Sequence, residues 1–262
     1  MCRMVGYLGG SPTPLSSVVL EGQHSLLVQS YAPQEMMSGV VNADGFGVGW
    51  YVAEDYEPVV YRSNAPLWSD RSFAGIAPKI KSRAVFAAVR SATPGLPVEE
   101  SGVPPFSSGP FMFMHNGAIP NFRQTAMRSL RERLSDEAYA RLLGVSDSET
   151  IFAGLLDLLS DDPADLAGAL RGTTRLVTEV CGRLGIEATL NLAVTDGTTM
   201  AFTRYSTEGP GTSLYVLEDA ETFPGAVVVA SERLNEDPRW RKVPDRHLLS
   251  VRQGSGATLS PL

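Results

Sequence analysis

The chain has 262 residues, of which 43% are hydrophobic and 19% charged, the composition of a globular protein with a sizeable core. The net charge of −7 and the absence of any basic cluster in the sequence argue against a surface for nucleic acid or an anionic membrane. Cys2 and Cys181 have neither metal-site nor disulfide-framework spacing, and no apolar run approaches the roughly 18 residues of a membrane span. A soluble, cytoplasmic protein is predicted, without contact to nucleic acid or membrane.

Strand patterns dominate the first part of the chain. Strands are predicted at residues 5–8, 47–53, 59–62, 84–90 and 111–115, the first of them ending at Gly9-Gly10-Ser11-Pro12. The stretch 93–110, rich in proline and glycine, is too long for a hairpin turn, and long loops are often functional. We expect this stretch and residues 23–41 to be the segments that close over a site.

Helical patterns follow, and strands then return. Helices are predicted at residues 122–134, 136–143, from 146 onward, and at 163–184. Ser146-Asp147-Ser148-Glu149 is a capping box, followed by apolar residues at helical spacing. Strands are predicted at residues 188–195, 200–205, 214–217 and 226–230, the first two joined by an Asp196-Gly197 hairpin turn.

The order of elements is strands, helices, strands, without βαβ alternation and without a glycine-rich dinucleotide fingerprint. Two antiparallel sheets packed together and covered by helices accommodate all of these elements. The sequence therefore predicts an α+β fold, and the absence of repeats and linkers in it predicts one domain over residues 2–262.

Glycine occupies every second position of Asp44-Gly45-Phe46-Gly47-Val48-Gly49-Trp50. On a strand these glycines share one face, and the large apolar residues share the other. A face without side chains lets a ligand or a backbone approach closely. Tight packing of the sheet against its neighbour is the alternative that the pattern alone favours.

Cys2 directly follows Met1, and removal of Met1 is expected because the second residue is small. Cys2 would then carry both a thiol, with a pKa of about 8.5, and an α-amine, with a pKa of about 7.7–8.0. The amine can accept the thiol proton near neutral pH, so the pair forms a nucleophile and its base. The alternative is that a cysteine stands at this position by accident.

Three further segments of the sequence carry groups suited to a substrate, each with a structural alternative. Arg90 ends a predicted strand, and its guanidinium is suited to bind a carboxylate with two hydrogen bonds. The alternative is an ordinary surface arginine. Asn116 and Gly117 offer the two donors of an oxyanion hole, each worth about 3 kcal/mol. They could equally form a turn, with His115 as a hydrogen-bonded core residue. Asp147 is also favoured at a helix start without any ligand.

The remaining cysteine and two histidines suggest no chemistry. Cys181 lies in the apolar stripe of a predicted helix and is interpreted as a small core residue. His24 and His247 have no acidic or cysteine partners at ligand spacing, so no metal site is predicted.

These motifs occur in one order along almost the whole chain. They are Cys2, residues 44–50, 90–95, 115–119 and 146–149, and Ala230-Ser231-Glu232. Together they resemble the class II glutamine amidotransferases, which belong to the N-terminal nucleophile hydrolases. The resemblance implies a four-layer αββα sandwich that needs no cofactor.

The resemblance also implies a role for each candidate residue. Cys2 is the expected nucleophile with its own α-amine as base, and Asn116 and Gly117 are the expected oxyanion hole. Arg90 is expected to bind the α-carboxylate of a glutamyl substrate and Asp147 its α-ammonium group. The same pocket is expected to include Thr93 and His115.

Longer stretches resemble a narrower group, the amidohydrolases of ergothioneine biosynthesis, which remove glutamate from γ-glutamyl-hercynylcysteine sulfoxide. These stretches are residues 26–33, 42–45, 65–68, 237–240 and 243–248. Since the glutaminase-like fold is expected to take up the whole length, the protein would either hydrolyse a γ-glutamyl amide or supply ammonia to a separate subunit. The narrower resemblance favours the first, hydrolysis of this dedicated small-molecule γ-glutamyl substrate. The alternatives are a free-standing glutaminase that supplies ammonia to a synthase partner, and an inactive member that only binds a γ-glutamyl metabolite. Whether the chain forms a homo-oligomer is left open.

The leaving group of that substrate contains a trimethylammonium group, which aromatic faces bind well. The aromatic candidates are Tyr31, Trp50, Trp68 and Tyr205. The sequence does not choose among these four side chains.

Overall fold

Two antiparallel β-sheets pack face to face, and helices cover the outer face of each, in the computed structural model of the chain. The structure describes residues 2–37, 39–53, 55–92 and 99–262. The predicted α+β fold and its αββα layering are confirmed.

The strands and helices of the described residues are numbered in chain order. The strands are β1 (Arg3–Pro14), β2 (Phe46–Trp50), β3 (Val59–Ser63), β4 (Lys81–Val89), β5 (Phe106–Ser108), β6 (Phe111–Ala118), β7 (Thr189–Thr195), β8 (Thr199–Arg204), β9 (Tyr215–Ala220), β10 (Phe223–Ala230), β11 (Arg241–Lys242), β12 (His247–Arg252) and β13 (Ala257–Pro261). The helices are α1 (Leu15–Val19), α2 (Leu26–Tyr31), α3 (Arg71–Ile76), α4 (Met127–Arg131), α5 (Asp136–Ala140), α6 (Asp147–Asp161) and α7 (Leu166–Leu184). None of the helices in this part of the chain is long and apolar enough to cross a membrane.

The first sheet has the strand order β11-β9-β10-β1-β4-β2-β3, and the second the order β13-β12-β8-β7-β6-β5. Apolar side chains fill three layers. Met4, Phe86, Met114 and Phe202 lie between the sheets. One outer layer joins α1–α3 to the first sheet, and the other joins α4, α6 and α7 to the second. Strands such as β10 are apolar on both faces because both faces are covered.

Helix ends follow the local sequence. The side chain of Ser146 accepts a hydrogen bond from the backbone of Glu149, so the predicted cap of α6 is confirmed. The Glu149 carboxylate, however, accepts from the backbone amides of Leu143 and Gly144, which ties the preceding turn to the helix. Helix α7 ends at Gly185, whose φ of 65° suits glycine.

Several boundaries differ from the predictions. The first strand continues through the two glycines to Pro14, with a register shift between Leu8 and Thr13. Turns occupy residues 120–126, so the predicted helix at 122–134 shrinks to α4. Helices α1–α3 and strands β11–β13 lie in regions for which no element was predicted.

The alternating glycines of β2 serve packing between the sheets. Phe46, Val48 and Trp50 share one face, as predicted, and that face packs against the outer helix layer. A Cβ on Gly47 would lie 2.3 Å from the backbone oxygen of Pro104, and one on Gly49 would lie 2.2 Å from the sulfur of Met112. The side-chain-free face therefore admits a neighbouring chain segment, as the pattern favoured.

Gly47→Ala is expected to lower the free energy of unfolding by about 1–3 kcal/mol, because the added methyl meets the backbone carbonyl of Pro104, which cannot turn aside as the end of a side chain can. Chemical denaturation of both proteins measures the difference. Gly75→Ala is the matched control, since open space surrounds that helical glycine and alanine favours helix there. Equal stability of the Gly47→Ala protein and the wild type would contradict this account of the glycine face.

Candidate active site

Cys2 lies at the start of β1, beside the end of β4. Met4 and Leu8 of β1 point between the two sheets, and Cys2 continues this alternation. Its thiol is partly buried, and Sγ lies 4.0 Å from the backbone oxygen of Ser91. The thiol therefore lies where the space between the sheets opens beyond the end of β4.

Asn116 points into the same space from the second sheet. Its neighbours Met112 and Met114 on β6 belong to the layer between the sheets, whereas Phe113 belongs to the outer helix layer. The buried Asn116 side chain donates from Nδ2 to Ser231 Oγ at 3.2 Å. Ser231 Oγ also accepts from the backbone amide of Met4 at 3.0 Å. One hydroxyl thus connects the Asn116 amide to the strand that follows Cys2.

Gly117 occupies a position at which no other residue fits. A Cβ there would lie 1.9 Å from the backbone oxygen of Thr189 on β7 and 2.5 Å from Nε2 of His115. Asn116 and Gly117 are paired within the β6–β7 ladder. The alternative that they form a turn is therefore wrong, and close strand packing accounts for the glycine.

His115 points away from Asn116, toward the helices. Its Nδ1 lies 3.0 Å from Ser148 Oγ, and its Nε2 lies 3.0 Å from the backbone oxygen of Thr189. The ring is buried and joins β6 to α6 and β7, which is the structural role left open by the sequence. Direct contact of His115 with a substrate stays a prediction.

Asp147 joins the start of α6 to the end of β6. Its Oδ2 accepts from the backbone amide of Ile119 at 3.0 Å, and its Oδ1 accepts from that of Ser148 at 2.7 Å. The side chain is nearly buried. A role in holding the strand end explains the residue without a ligand, but the carboxylate has further lone pairs for an ammonium group.

Arg90 lies between the first sheet and the start of α6. Its backbone forms hydrogen bonds with Gly45 and Asp44, and its guanidinium lies so close to Gly102 that a Cβ on that glycine would be 2.9 Å from Nη2. A cavity of about 20 Å³ is bordered by Arg90 together with Ser146 and Glu149 at the start of α6. The structure thus brings Arg90 to the helix that carries Asp147, whereas Thr93 lies outside the described residues.

The second cysteine has a contrasting environment. Cys181 is fully buried in α7 among the apolar residues of the outer helix layer. Burial, with a smaller effect of the Asp147 charge, raises the pKa of its thiol to about 11. Its interpretation as a core residue is confirmed.

A buried ion pair next to Cys2 was not predicted. The Arg3 side chain is fully buried, and its Nε lies 3.3 Å from Glu232 Oε1. The other carboxylate oxygen, Oε2, lies 2.6 Å from His24 Nε2. The sequence alone did not indicate that Arg3, His24 and Glu232 are buried together, because isolated charged residues are usually exposed. Two features of the sequence could have indicated the pair: Arg3 follows Cys2 directly, and Glu232 belongs to the Ala230-Ser231-Glu232 motif of the family resemblance.

The carboxylate of Glu232 also holds backbone amides. The amide of Gln34 donates to Oε2 at 2.8 Å, and that of Glu35 donates to Oε1 at 3.0 Å. Burial alone would raise the pKa of Glu232, but the hydrogen bonds from His24 and the two amides, together with the Arg3 charge, hold it below its ordinary value. The group therefore remains a carboxylate at neutral pH.

Comparison with known proteins gives three findings. Residues 20–223 match the family model described as glutamine amidotransferases class-II. The gamma-glutamyl-hercynylcysteine sulfoxide hydrolases of Mycolicibacterium smegmatis and Mycobacterium tuberculosis are 39% and 37% identical to this chain; the alignments cover 96% of both chains for the first, and 100% of this chain and 97% of the relative for the second. The solved structure of a glutamine aminotransferase class-II domain protein from Silicibacter pomeroyi is similar with a TM-score of 0.70 and 25% identity over 99% of each chain.

Glu232→Gln is expected to lower the free energy of unfolding at pH 7 by about 3–5 kcal/mol, because Arg3 stays buried without a countercharge. The native pKa of Glu232 lies below the ordinary value of 4.5, so the stabilisation by its carboxylate is present above about pH 4.5 and is lost as the pH falls through the native pKa. Urea denaturation from pH 7 down to about pH 3 should show the two proteins converging.

The exposed Glu132→Gln serves as the control, with an effect at pH 7 of about 0.5 kcal/mol or less. A difference between wild type and Glu232→Gln that stays constant over this pH range would contradict the assignment of the lowered pKa to Glu232.

Proposed function

Because the chain belongs to the class II glutamine amidotransferases, we propose that it is an amidohydrolase that cleaves the γ-glutamyl amide bond of γ-glutamyl-hercynylcysteine sulfoxide. The products are glutamate and hercynylcysteine sulfoxide. The observation that carries the proposal is the full-length similarity to two relatives with that named activity, combined with Cys2 and Asn116 facing the same space.

The chemistry begins at Cys2. After removal of Met1, its α-amine accepts the thiol proton, and Sγ attacks the γ-carbonyl carbon of the substrate. One hydrogen of Asn116 Nδ2 is held by Ser231, and the other is directed to the oxyanion together with the Gly117 amide. The leaving amine then takes the proton from the Cys2 ammonium group, and a γ-glutamyl thioester remains. Water, deprotonated by the same amine, cleaves the thioester and releases glutamate.

The glutamyl head group is assigned to the region between Arg90 and the start of α6. The Arg90 guanidinium binds the α-carboxylate, for which its two parallel donors are suited. Asp147 accepts from the α-ammonium group with the lone pairs that Ile119 and Ser148 leave unused. Thr93 and His115 remain predicted members of this pocket.

Two of the four aromatic candidates suit the trimethylammonium end of the leaving group. Trp50 is buried in the outer helix layer, and the Arg246 guanidinium lies over the Tyr205 ring at 5.9 Å. Tyr31 and Trp68 are 49% and 44% exposed, and their rings meet edge to face at a centroid distance of 6.1 Å. A trimethylammonium group cannot donate hydrogen bonds and is bound best by the faces of aromatic rings, so we assign it to Tyr31 and Trp68.

Glutamate release by the purified protein, offered glutamine and γ-glutamyl-hercynylcysteine sulfoxide in parallel, tests the proposed function. We expect kcat/KM for the sulfoxide to be about 100-fold higher or more, the discrimination that a dedicated leaving-group pocket supplies. Preference for glutamine would contradict the proposal and favour a glutaminase subunit that supplies ammonia to a synthase.

The mechanism has its own controls. Cys2→Ala is expected to bind the substrate and release no glutamate, and intact mass should show loss of Met1 from active protein. Full activity of a protein that retains Met1 would exclude the α-amine as the base.

Trp68→Ala and Tyr31→Ala are each expected to lower kcat/KM for the sulfoxide by about 3- to 30-fold, the loss of one cation–π contact. Turnover of glutamine, which has no methylated cation, should change less than about twofold. Tyr56→Ala is the matched control, since that tyrosine is 73% exposed and lines a groove formed by β5, β6, α5 and α6. Equal losses with both substrates would contradict a cation site at Tyr31 and Trp68.

A further inference from the structure

The end of β10 contacts the nucleophile strand on both faces. Successive residues of a strand point to opposite sides of its sheet. Ser231 therefore reaches Asn116 in the space between the sheets, whereas Glu232 reaches Arg3 on the helix side. Of these two residues, Glu232 has no role in the chemistry described above, although their motif adjoins β1 through the hydrogen bond from Ser231 N to Met4 O.

A loop early in the chain contacts Glu232 at its start and lies near Cys2 further along. This covering loop comprises residues 32–42, all described except 38, and its ends are close because the Asn42 amide donates to Ser30 O at 2.7 Å. At its start the amides of Gln34 and Glu35 donate to Glu232. Further along, Gly39 lies against Ser91: a Cβ on Gly39 would be 3.5 Å from Ser91 Oγ. The backbone oxygen of Ser91 is the atom 4.0 Å from Cys2 Sγ.

A second contact fixes the start of the covering loop. Tyr215 donates to the Glu35 carboxylate at 2.8 Å, and Lys242 lies 3.8 Å from its other oxygen. The exposed side chains of Met37, Val40 and Val41 belong to the part between these contacts and Asn42. The loop is therefore held at its start and its end, and its Gly39 lies beside Ser91, the residue whose backbone oxygen is near Cys2.

Stability alone does not explain a buried ion pair at this position. Replacing such a pair with apolar residues of similar volume is often neutral or stabilising, because burial of both charges is costly. Apolar side chains, however, cannot accept hydrogen bonds from the two backbone amides of the loop. The distinctive property of Glu232 is that one carboxylate binds both the residue after Cys2 and the start of the covering loop.

We propose that Glu232 is a positioning residue that seats the covering loop on the nucleophile strand and so fixes the loop beside the Cys2 thiol. The loop then limits the space available to the leaving group and keeps bulky molecules from the thiol. This inference takes Cys2 as the nucleophile from the proposed function, but access to its thiol is measurable whatever the substrate is.

The test compares two charge-neutral double variants, which avoid a lone buried charge. Arg3→Met/Glu232→Leu removes the ion pair and both acceptors, whereas Arg3→Met/Glu232→Gln keeps one acceptor oxygen for the loop amides. Each protein is treated with iodoacetamide and, separately, with a bulky maleimide, and alkylation of Cys2 is followed by mass spectrometry. The buried Cys181 reports any general unfolding.

We expect the ratio of the maleimide rate to the iodoacetamide rate to rise roughly tenfold in the leucine variant, as the loss of a charge-assisted hydrogen bond implies, and less in the glutamine variant. KM for the sulfoxide should rise more than KM for glutamine, since only the larger leaving group reaches the loop. Arg128→Met/Glu132→Gln, which removes an exposed ion pair on α4, should change neither quantity.

A folded leucine variant with the wild-type rate ratio and wild-type KM values would overturn the proposal. An equal loss of turnover on both substrates, with an unchanged ratio of alkylation rates, would also overturn it. That result would mean that Arg3 and Glu232 affect the catalytic step and not access to the thiol. If the leucine variant does not fold, the same comparison applies to the glutamine variant. Failure of the sulfoxide as substrate would refute the proposed function, while the rate ratio would still decide the role of Glu232.

Discussion

The register of β1 between β4 and β10 determines the geometry of the site. Arg3 pairs with Val89, and Val5 pairs with Ala230, so the residues that follow both neighbouring strands meet at Cys2. With this register Cys2 shares the space between the sheets with Asn116, and Arg3 points to the helix layer. A shift of one residue would exchange the two faces and bury a guanidinium between the sheets. Dense apolar packing on both sides of β1 opposes such a shift.

The two cysteines lie in contrasting environments, one inside a layer and the other at the edge of one. Cys181 lies inside an outer layer, where burial raises its pKa to about 11 and keeps the thiol protonated. Cys2 lies at the rim of the central layer, partly exposed, with a fully buried arginine as its neighbour. The same residue type therefore packs as a small apolar group in one layer and is exposed to solvent at the edge of another.

The elements with strong periodicity could be predicted from sequence, and those held by distant contacts could not. Ser146 with the apolar stripe of α6, and the alternating glycines of β2, identify their elements locally. Helix α2 has only six residues and depends on packing against β1 and β4, so it carries no clear local signal. The pairing of Arg3 with Glu232 joins positions 229 residues apart in sequence, and only the strand register brings them together. His115 illustrates the same limit, because its direction depends on which face of β6 it occupies.

The layer over the first sheet, where sequence patterns were weakest, also supplies the parts proposed to recognise the leaving group. The proposed glutamyl side of the site lies at the ends of β4 and β6 and the start of α6, where local motifs are strong. Tyr31, Trp68 and the covering loop come from short helices and turns in residues 26–69. Short elements tolerate substitution and change of length more readily than strands buried on both faces. A fold divided in this way can keep one γ-glutamyl chemistry while its leaving-group side changes. Substrate choice within the family should therefore follow the sequence of the helix layer over the first sheet more closely than the sequence of the catalytic motifs.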